Sequence, residues 1–300
     1  MKDVLIIGGG PAGLSALLWC NDLSLSATLI ERGSELGGQL LWINNEIKNY
    51  PGRITKNGSE MRDHFLSNFQ RIEKQVLLNA EVVSFDPSTI TATLADGKSI
   101  DARFAIIATG LRRRHLEIPG EDEFVGRGIL ESGAGQRELA KGKRVAIIGG
   151  GDAALENALI LSEFAHKVIL IHRRDRFSAR EQFVEQVKKK GNIELLLDQT
   201  ILSINGNDVV RSIDIRSGKE TNTIPIDLVL IRIGFVPNTE FCGNQIELDS
   251  KGFFISGQNG VTNSTNIFVV GDAANPYSST IASSVGSAAG AAKTVVQMAK

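Results

Sequence analysis

The sequence is poor in cysteine and aromatic residues, and it has no excess of charge of either sign. Its two cysteines, Cys20 and Cys242, exclude a disulfide-stabilised scaffold. The formal net charge of −1 gives no general reason to expect nucleic acid or a membrane surface as a partner. No apolar run reaches the ~18 residues of a membrane-spanning helix. A core strand begins almost at residue 1, which predicts a chain without a signal peptide. We therefore expect a cytoplasmic protein.

Metal ligands and hydrolytic nucleophiles are also lacking. The four histidines, His64, His115, His166 and His172, show no metal-ligand spacing, and no G-x-S-x-G motif is present. What the chain does have is hydrophobic content of 42%, typical of a globular protein with a substantial core. These features favour a protein that binds no metal of its own.

The motif that organises the chain lies at its start. Residues 4–7 form a branched apolar run typical of a buried strand, and a helical pattern follows directly. Between them, Gly8, Gly10 and Gly13 have the G-x-G-x-x-G spacing, which lets a pyrophosphate approach the backbone and a helix N-terminus. A second apolar run ends at Glu31, where a carboxylate suits two ribose hydroxyls. Together these elements predict a dinucleotide site.

The same unit occurs twice in the chain. Residues 4–32 align without a gap on residues 145–173, so that Gly8 corresponds to Gly149 and Glu31 to His172. Two complete βαβ units predict two dinucleotide sites.

The remaining pattern predicts short strands around these units and helices beside them. Ser59 is expected to cap a helix over 59–75, and the last helix is expected over 281–298. Further strands are predicted at 81–85, 89–94, 99–108, 193–197, 208–215, 228–233 and 267–270, and a further helix at 177–190. The simplest architecture places residues 1–113 and 241–300 in an outer domain, with residues 114–240 inserted as an inner domain.

These motifs, in this order, resemble the low-molecular-weight thioredoxin reductases, a family of two-dinucleotide-domain flavoproteins. The resemblance covers essentially the whole chain and includes Glu31-Arg32, Gly38-Gln39, Ala108-Thr109-Gly110, His172-Arg173-Arg174 and Gly271-Asp272. It implies an α/β fold of two Rossmann-like dinucleotide-binding domains, three-layered with small β-meanders, the NADPH domain being inserted into the FAD domain. It also implies a homodimer.

The resemblance also implies which residues hold each cofactor. The FAD residues would be Gly8, Gly10, Pro11, Ala12, Glu31, Arg32, Gly38, Gln39, Val82, Ala108, Thr109, Gly110, Gly271, Asp272, Thr280 and Ile281. The NADPH residues would be Gly149, Gly151, Asp152, Ala153, Ala154, His172, Arg173, Arg174 and Arg180. A carboxylate at position 172 would repel a 2′-phosphate, whereas guanidinium groups bind one, so this region favours NADPH over NADH.

The chain departs from the family at three places. Ser132 and Gly135 occupy the positions of the redox-active cysteine pair, and Gln136 replaces the acid that follows it. Ser178 stands where the family has a further arginine, a role open to Arg176 or Arg180. Ser279-Thr280 replaces an Arg-Gln pair beside the flavin. Ser132 and Gln136 are the candidates for lining a substrate pocket, and no catalytic residue is assigned.

These departures leave two classes of function open. The first is an NADPH-dependent FAD oxidoreductase that passes electrons from the flavin directly to ferredoxin, flavodoxin or a small molecule such as a quinone or oxygen. The second is a flavin-binding redox sensor or assembly protein with little turnover. A weaker version of the first retains disulfide chemistry with thiols supplied by a partner.

Overall fold

The computed structural model describes residues 1–69 and 72–299, and the chain divides into two compact units. Unit 1 comprises Met1–Arg112 and Val236–Lys300, and unit 2 comprises Arg113–Phe235. The return to unit 1 therefore falls before Val236 and not before residue 241. The reason is that the backbone of Pro237 and Asn238 hydrogen bonds to Arg112 and Thr109 of unit 1.

The chain order of elements begins in unit 1. Its first part contains β1 (Lys2–Ile7), α1 (Pro11–Asp22), β2 (Ala27–Ile30), α2 (Gly58–Leu66), β3 (Val76–Leu77), β4 (Val82–Asp86), β5 (Thr91–Leu94), β6 (Ser99–Ile107) and β7 (Leu111–Arg113). Unit 2 contains β8 (Ile129–Leu130), β9 (Arg144–Ile148), α3 (Asp152–Ser162), β10 (Lys167–Ile171), α4 (Glu181–Lys189), β11 (Ile193–Leu196), β12 (Gln199–Gly206), β13 (Val210–Ser217), β14 (Glu220–Pro225) and β15 (Leu228–Ile231). The chain ends with β16 (Phe235–Pro237), β17 (Ile267–Val269) and α5 (Ile281–Met298).

Unit 1 has three layers. Strands β3, β2, β1, β6 and β17 form its parallel sheet, and β4 and β5 continue from the start of β6 as an antiparallel meander. Side chains alternate along β1, so Val4 and Ile6 face a core shared with α1 and α5, whereas Leu5 and Ile7 face a second core under the meander. The sheet therefore separates two apolar cores.

Unit 2 repeats this plan. Its parallel sheet has the order β11-β10-β9-β15-β8, and β12, β13 and β14 form a separate three-stranded meander. The core on one face of the sheet contains residues of α3 and α4, and the core on the other contains Ile201, Ile213 and Ile215 of the meander. The order reverses between β9 and β15, which makes the carboxyl ends of these strands the expected ligand crevice.

Most predicted elements are present, with local differences. The predicted helix over 281–298 is confirmed as α5. The helix predicted over 59–75 is wrong in extent: α2 ends at Leu66, and part of the prediction, residues 70–71, lies outside the described residues. Its cap is Asn57 and not Ser59, because the Asn57 side chain accepts from the Glu60 backbone N–H. The helix predicted from residue 177 begins at Glu181, and β12 and β14 were not predicted.

Candidate functional site

The glycine turn of unit 1 brings β1 and α1 unusually close together. Gly8 has φ of +107°, and a Cβ there would lie 2.4 Å from the carbonyl oxygen of Ala108. A Cβ on Gly13 would lie 1.8 Å from the carbonyl oxygen of Gly8. Only glycine fits either position, because a Cβ would overlap backbone atoms that cannot rotate away.

The N-terminus of α1 is left open by this turn. Gly10 is its N-cap residue and has no side chain to accept from the N–H groups of the first helical turn. A second glycine pair lies against it: the Gly37 N–H donates to the Gly9 carbonyl oxygen at 2.8 Å, and a Cβ on Gly38 would lie 2.9 Å from the Gly10 Cα. The result is a cradle of backbone donors that fits a pyrophosphate.

Glu31 lies at the carboxyl end of β2 beside this cradle. Its two carboxylate oxygens accept from the backbone N–H groups of Gly9 and Gly33, each at 2.7 Å. A carboxylate has further lone pairs after these two bonds, so it can also accept from ribose hydroxyls. The predicted Glu31 position is thus rigidly joined to the glycine turn.

Further predicted residues of unit 1 converge on the same cradle. Gln39 follows Gly38, and its side-chain N–H donates to the Leu111 carbonyl oxygen at 2.7 Å. This bond brings Gln39 to the segment that contains Ala108, Thr109 and Gly110. The Thr109 hydroxyl in turn donates to the Asn238 carbonyl oxygen at 2.7 Å. This hydrogen bond therefore joins the two chain segments of unit 1, the one before unit 2 and the one after it, at this edge of the sheet.

Asp272 occupies the loop after β17. A Cβ on its neighbour Gly271 would lie 2.8 Å from the Cβ of Ala12, so this loop touches the first turn of α1. Burial raises the pKa of Asp272, and a hydrogen bond of 3.3 Å from the Ser284 hydroxyl acts in the opposite direction. Such a half-buried acceptor is suited to a ligand hydroxyl.

The remaining predicted residues of unit 1 lie in different surroundings. Thr280 caps α5 in a reciprocal pair with Ser283, and Ile281 packs with Leu40. Arg32 is exposed. Val82 begins β4, and no hydrogen bond joins it to the glycine turn, although the nearby Ala80 N–H donates to the Glu31 carbonyl oxygen at 3.0 Å.

Unit 2 has an equivalent glycine turn with a different third position. A Cβ on Gly149 would lie 2.1 Å from the carbonyl oxygen of Arg232 and 3.0 Å from the Cβ of Ala154. Ala154 corresponds to Gly13, so here a real methyl group lies between strand and helix. Gly151 is the N-cap of α3 and has no side chain, which leaves the helix N-terminus open to a phosphate as in unit 1.

His172 replaces the glutamate of unit 1. Its ring packs against Gly150, where a Cβ would lie 2.3 Å from the imidazole, and stacks on Phe177 with a ring-centroid distance of 5.7 Å. Burial and the neighbouring arginines lower the pKa of His172. Its Nε2 atom is buried and has no hydrogen-bond partner among the described residues. The lowered pKa favours the neutral imidazole, which does not repel a phosphate as the carboxylate at the corresponding position of unit 1 would.

The predicted phosphate-binding arginines divide into two groups. Arg173 and Arg174 are exposed after β10. Arg180 instead pairs with Asp152: its backbone N–H and its side-chain Nε both donate to that carboxylate at 2.7 Å. The Ser178 hydroxyl donates to the Gly150 carbonyl oxygen at 3.2 Å and holds the same loop. Ala153, the remaining predicted residue, lies in the first turn of α3.

The side chains of Ser132 and Gln136 both accept hydrogen bonds from backbone N–H groups of the same turn. The Gln136 side-chain oxygen accepts from the backbone N–H groups of Glu131 and Ser132 at 2.8 and 3.1 Å, and the Ser132 hydroxyl oxygen accepts from the Gly135 N–H at 3.0 Å. Gly133 packs on α3, where a Cβ would lie 2.0 Å from the Asn157 side-chain oxygen. The side chains of Ser132 and Gln136 therefore stabilise this turn.

The two cysteines lie in separate cores of unit 1. Cys20 belongs to the core under α1 and α5, and Cys242 to the core on the other face of the sheet. Burial raises the pKa of Cys20 to about 12 and also raises the pKa of Cys242. Neither thiol is exposed, and the sheet between them prevents a disulfide.

One residue of this region was missed in the sequence. Arg232 follows β15 directly, at the crevice where the strand order reverses. A charged residue that directly follows the apolar run Leu228–Ile231 was the available signal. Within the described residues there is no candidate metal cluster, and no described helix is long and apolar enough to cross a membrane.

The chain is similar to known oxidoreductases over nearly its whole length. The model of the family described as pyridine nucleotide-disulphide oxidoreductase matches residues 2–293. A thioredoxin reductase of Mycolicibacterium smegmatis is 31% identical over 91% of this chain and 88% of its own length. A bifunctional thioredoxin reductase/thioredoxin of Mycobacterium leprae is 32% identical over 91% of this chain, which spans only 60% of that longer protein.

The fold agrees with these relatives. The crystal structure of Lactococcus lactis thioredoxin reductase superposes with a TM-score of 0.83 and 30% identity, covering 99% of this chain and 100% of that one. The expectations of an α/β fold with Rossmann-like domains, of an oxidoreductase, and of FAD and NADPH as the cofactors are confirmed at the level of this family. The chain belongs to the pyridine nucleotide-disulphide oxidoreductase family and is an FAD-containing, NADPH-dependent oxidoreductase similar to thioredoxin reductases.

Proposed function

We propose that this oxidoreductase passes electrons from the reduced flavin directly to an acceptor other than thioredoxin, without an internal redox disulfide. The acceptor would be ferredoxin, flavodoxin or a small molecule such as a quinone or oxygen. In this proposal the protein works in the cytoplasm as a homodimer and requires neither membrane nor nucleic acid.

The observation that carries this proposal is the state of the thiols and of the turn after β8. Cys20 and Cys242 are both buried, on opposite faces of one sheet, and their raised pKa values disfavour the reactive thiolate. Ser132 and Gly135 have no sulfur to oxidise, and Gln136 acts as an acceptor for two backbone N–H groups. A dithiol–disulfide relay needs two thiols in contact, which this chain of 300 residues does not provide.

We assign the FAD to unit 1 and the NADPH to unit 2. In unit 1, the N-terminus of α1 and the facing turn at Gly38 would bind the pyrophosphate, Glu31 the adenosine ribose and Asp272 a hydroxyl of the ribityl chain. In unit 2, the N-terminus of α3 would bind the pyrophosphate, and Arg173 and Arg174 the 2′-phosphate. When bound, the flavin would supply the redox chemistry: a hydride from NADPH would bring two electrons, which would pass as a pair to a quinone or oxygen, or one at a time to two ferredoxin or flavodoxin molecules.

The direct test is anaerobic rapid mixing of the flavin-loaded protein with NADPH, followed by a panel of acceptors. We expect the flavin absorbance near ~450 nm to bleach and then to recover with ferredoxin, flavodoxin or a quinone, but not with thioredoxin disulfide. A flavin that stays oxidised with excess NADPH and NADH would favour the sensor or assembly protein instead.

A matched variant makes the thioredoxin result informative. The double substitution Ser132→Cys and Gly135→Cys places two thiols in a turn where the Ser132 hydroxyl oxygen already lies 3.0 Å from the Gly135 nitrogen. We expect this variant to gain thioredoxin reduction that the unchanged protein lacks. If the unchanged protein reduces thioredoxin at a comparable rate, the proposed acceptor class is wrong. If it does so only after a small thiol is added, partner-supplied thiols are responsible.

A further inference from the structure

Unit 2 contains two arginines, Arg232 and Arg113, whose positive charges are not balanced by an ion pair in the part of the chain that the structure describes. The Arg232 guanidinium donates to two carbonyl oxygens, that of Ile231 at 2.7 Å and that of Glu131 at 3.0 Å. Arg113 packs over the Phe235 ring at 5.5 Å from its centroid. Across the described residues, neither guanidinium has a carboxylate within ion-pair distance.

The two arginines lie on neighbouring segments, because the Arg114 N–H donates to the Gly234 carbonyl oxygen at 3.0 Å and so joins the strand that ends at Arg113 to the chain just after Arg232. Burial and then the charge of Arg113 lower the pKa of Arg232 to about 9, so it remains protonated at neutral pH. Burial also lowers the pKa of Arg113, and the Glu131 carboxylate acts in the opposite direction. Two half-buried like charges without an ion-pair partner repel each other, and an anion bound beside them would reduce this repulsion.

The two repeats show where such an anion would lie. The Arg232 N–H donates to the Ile148 carbonyl oxygen at 2.7 Å, as the Ala108 N–H donates to that of Ile7 at 2.8 Å. Arg232 is therefore the counterpart of Ala108 and lies directly beside the Gly149 turn, whose Cβ position is 2.1 Å from its carbonyl oxygen. Compared with unit 1, unit 2 therefore has an additional cation, Arg232, at this edge of its sheet. It also has an additional acid at the same edge.

That acid is Asp152, at the first position of α3. Its counterpart in unit 1 is Pro11, which has no charge. A carboxylate at a helix N-terminus opposes a phosphate there, and the bonds from Arg180 offset this only in part because both side chains are exposed. A phosphate at this turn therefore needs further positive charge.

We propose that Arg232 and Arg113 form a second anion site that binds the phosphate on the nicotinamide half of NADPH. This inference rests on the proposed assignment of NADPH to unit 2. Along the carboxyl edge of the sheet, β10 carries His172 and the adenosine-side arginines, β9 carries the glycine turn, and β15 carries Arg232. A dinucleotide that follows this order places its nicotinamide half at β15.

The test measures binding to the flavin-loaded protein by calorimetry, with NADP⁺ and with adenosine 2′,5′-bisphosphate, which lacks the nicotinamide half. We expect Arg232→Gln and, separately, Arg113→Gln to weaken NADP⁺ binding roughly tenfold. Binding of the bisphosphate should change less than about twofold. Arg232→Lys should retain part of the affinity, and Arg216→Gln, at an exposed arginine of β13, is the control that should change neither ligand.

Each other outcome has a distinct meaning. Unchanged NADP⁺ affinity in both glutamine variants overturns the inference. Equal weakening of both ligands also overturns it, because it shows that the arginines support the turn and not a phosphate. Arg113→Gln guards against a folding defect, since it leaves the bond from Arg232 to Glu131 in place. If the unchanged protein binds neither ligand, the assignment of NADPH to unit 2 fails first, and this inference fails with it.

Discussion

The two units share one backbone plan and the same glycine turn but differ in charge at three positions beside that turn. Glu31 in unit 1 accepts two backbone N–H groups, whereas its counterpart His172 is neutral and stands before two exposed arginines. Pro11 corresponds to Asp152, and Ala108 to Arg232. The glycine turn therefore has the same geometry in both units, and in our proposal a few side chains at the strand ends determine which nucleotide each unit favours.

The units also differ in how closely helix and strand approach. Gly13 leaves no room for a side chain, because a Cβ there would lie 1.8 Å from the Gly8 carbonyl oxygen, whereas the corresponding position in unit 2 holds the methyl group of Ala154. The tighter packing belongs to the unit that we assign to FAD.

The largest effect is expected from making unit 1 resemble unit 2 at this position. In Gly13→Ala the new Cβ would lie 1.8 Å from a backbone oxygen, so α1 must shift away from the cradle. We expect a loss of more than about 2 kcal/mol in unfolding free energy and loss of most bound flavin. Flavin content per protein and chemical unfolding measure both. Ala154→Gly is the matched control and should cost about 1 kcal/mol or less; a flavin-loaded Gly13→Ala protein of normal stability would contradict the comparison.

The second prediction concerns the positive charge after β10, which distinguishes unit 2 from unit 1. Replacing Arg173 and Arg174 together with glutamine should lower the preference for NADP⁺ over NAD⁺ by roughly tenfold or more, since each charged hydrogen bond to a phosphate contributes ~1.5–3 kcal/mol. Affinities for both nucleotides, measured by calorimetry, test this. Replacement of the exposed Lys188 and Lys189 of α4 is the control. An unchanged ratio would place the 2′-phosphate elsewhere.

The third prediction concerns pH. Because the pKa of His172 is lowered in the folded protein, the unfolded chain binds more protons below the ordinary histidine pKa of about 6.5. The contribution of His172 to stability is therefore present above that pH and is lost as the pH falls towards 5. Chemical unfolding of His172→Gln between pH 5 and 7 should show a smaller decrease than the unchanged protein. Gln186→Ala, at an exposed residue without a titratable side chain, should retain the full slope.

The smallest effect is expected from the cysteines, which both lie buried in the apolar cores of unit 1. Cys20→Ala and Cys242→Ala should leave NADPH-dependent turnover unchanged, although each opens a small cavity worth about 1 kcal/mol of stability. NADPH-dependent turnover with an acceptor that reoxidises the flavin in the proposed panel provides the measurement. A large loss of turnover in a stable, flavin-loaded variant would show that a thiol takes part in electron transfer.

The repeated glycine turn was predictable because it depends on steric limits that few residues satisfy. Gly8 and Gly149 need a conformation that side chains disfavour, and the spacing to Glu31 and His172 follows from one helix and one strand. The last helix was predictable on a different ground: residues 281–298 are rich in small residues, whose glycines and serines suit close packing of a helix against a neighbouring surface.

Other features depend on contacts between distant residues, which a linear pattern does not contain. The pairing of Arg180 with Asp152 needs the loop after β10 to fold back on α3. The use of Gln136 as a cap for its own turn depends on local geometry and not on residue type. The short extent of α2 and the strands β12 and β14 were missed because their apolar residues are few and irregularly spaced.

The interruption of unit 1 by unit 2 affects how the protein is made on the ribosome. The core under α1 needs Phe268 of β17 and Ala288, Ala291 and Val295 of α5. The part of the α1 surface that packs on α5 therefore stays uncovered while the whole of unit 2 is translated. Unit 2, by contrast, is continuous and has all of its own core residues much earlier. Unit 2 can thus fold first on the nascent chain, and unit 1 becomes complete only when its final helix emerges.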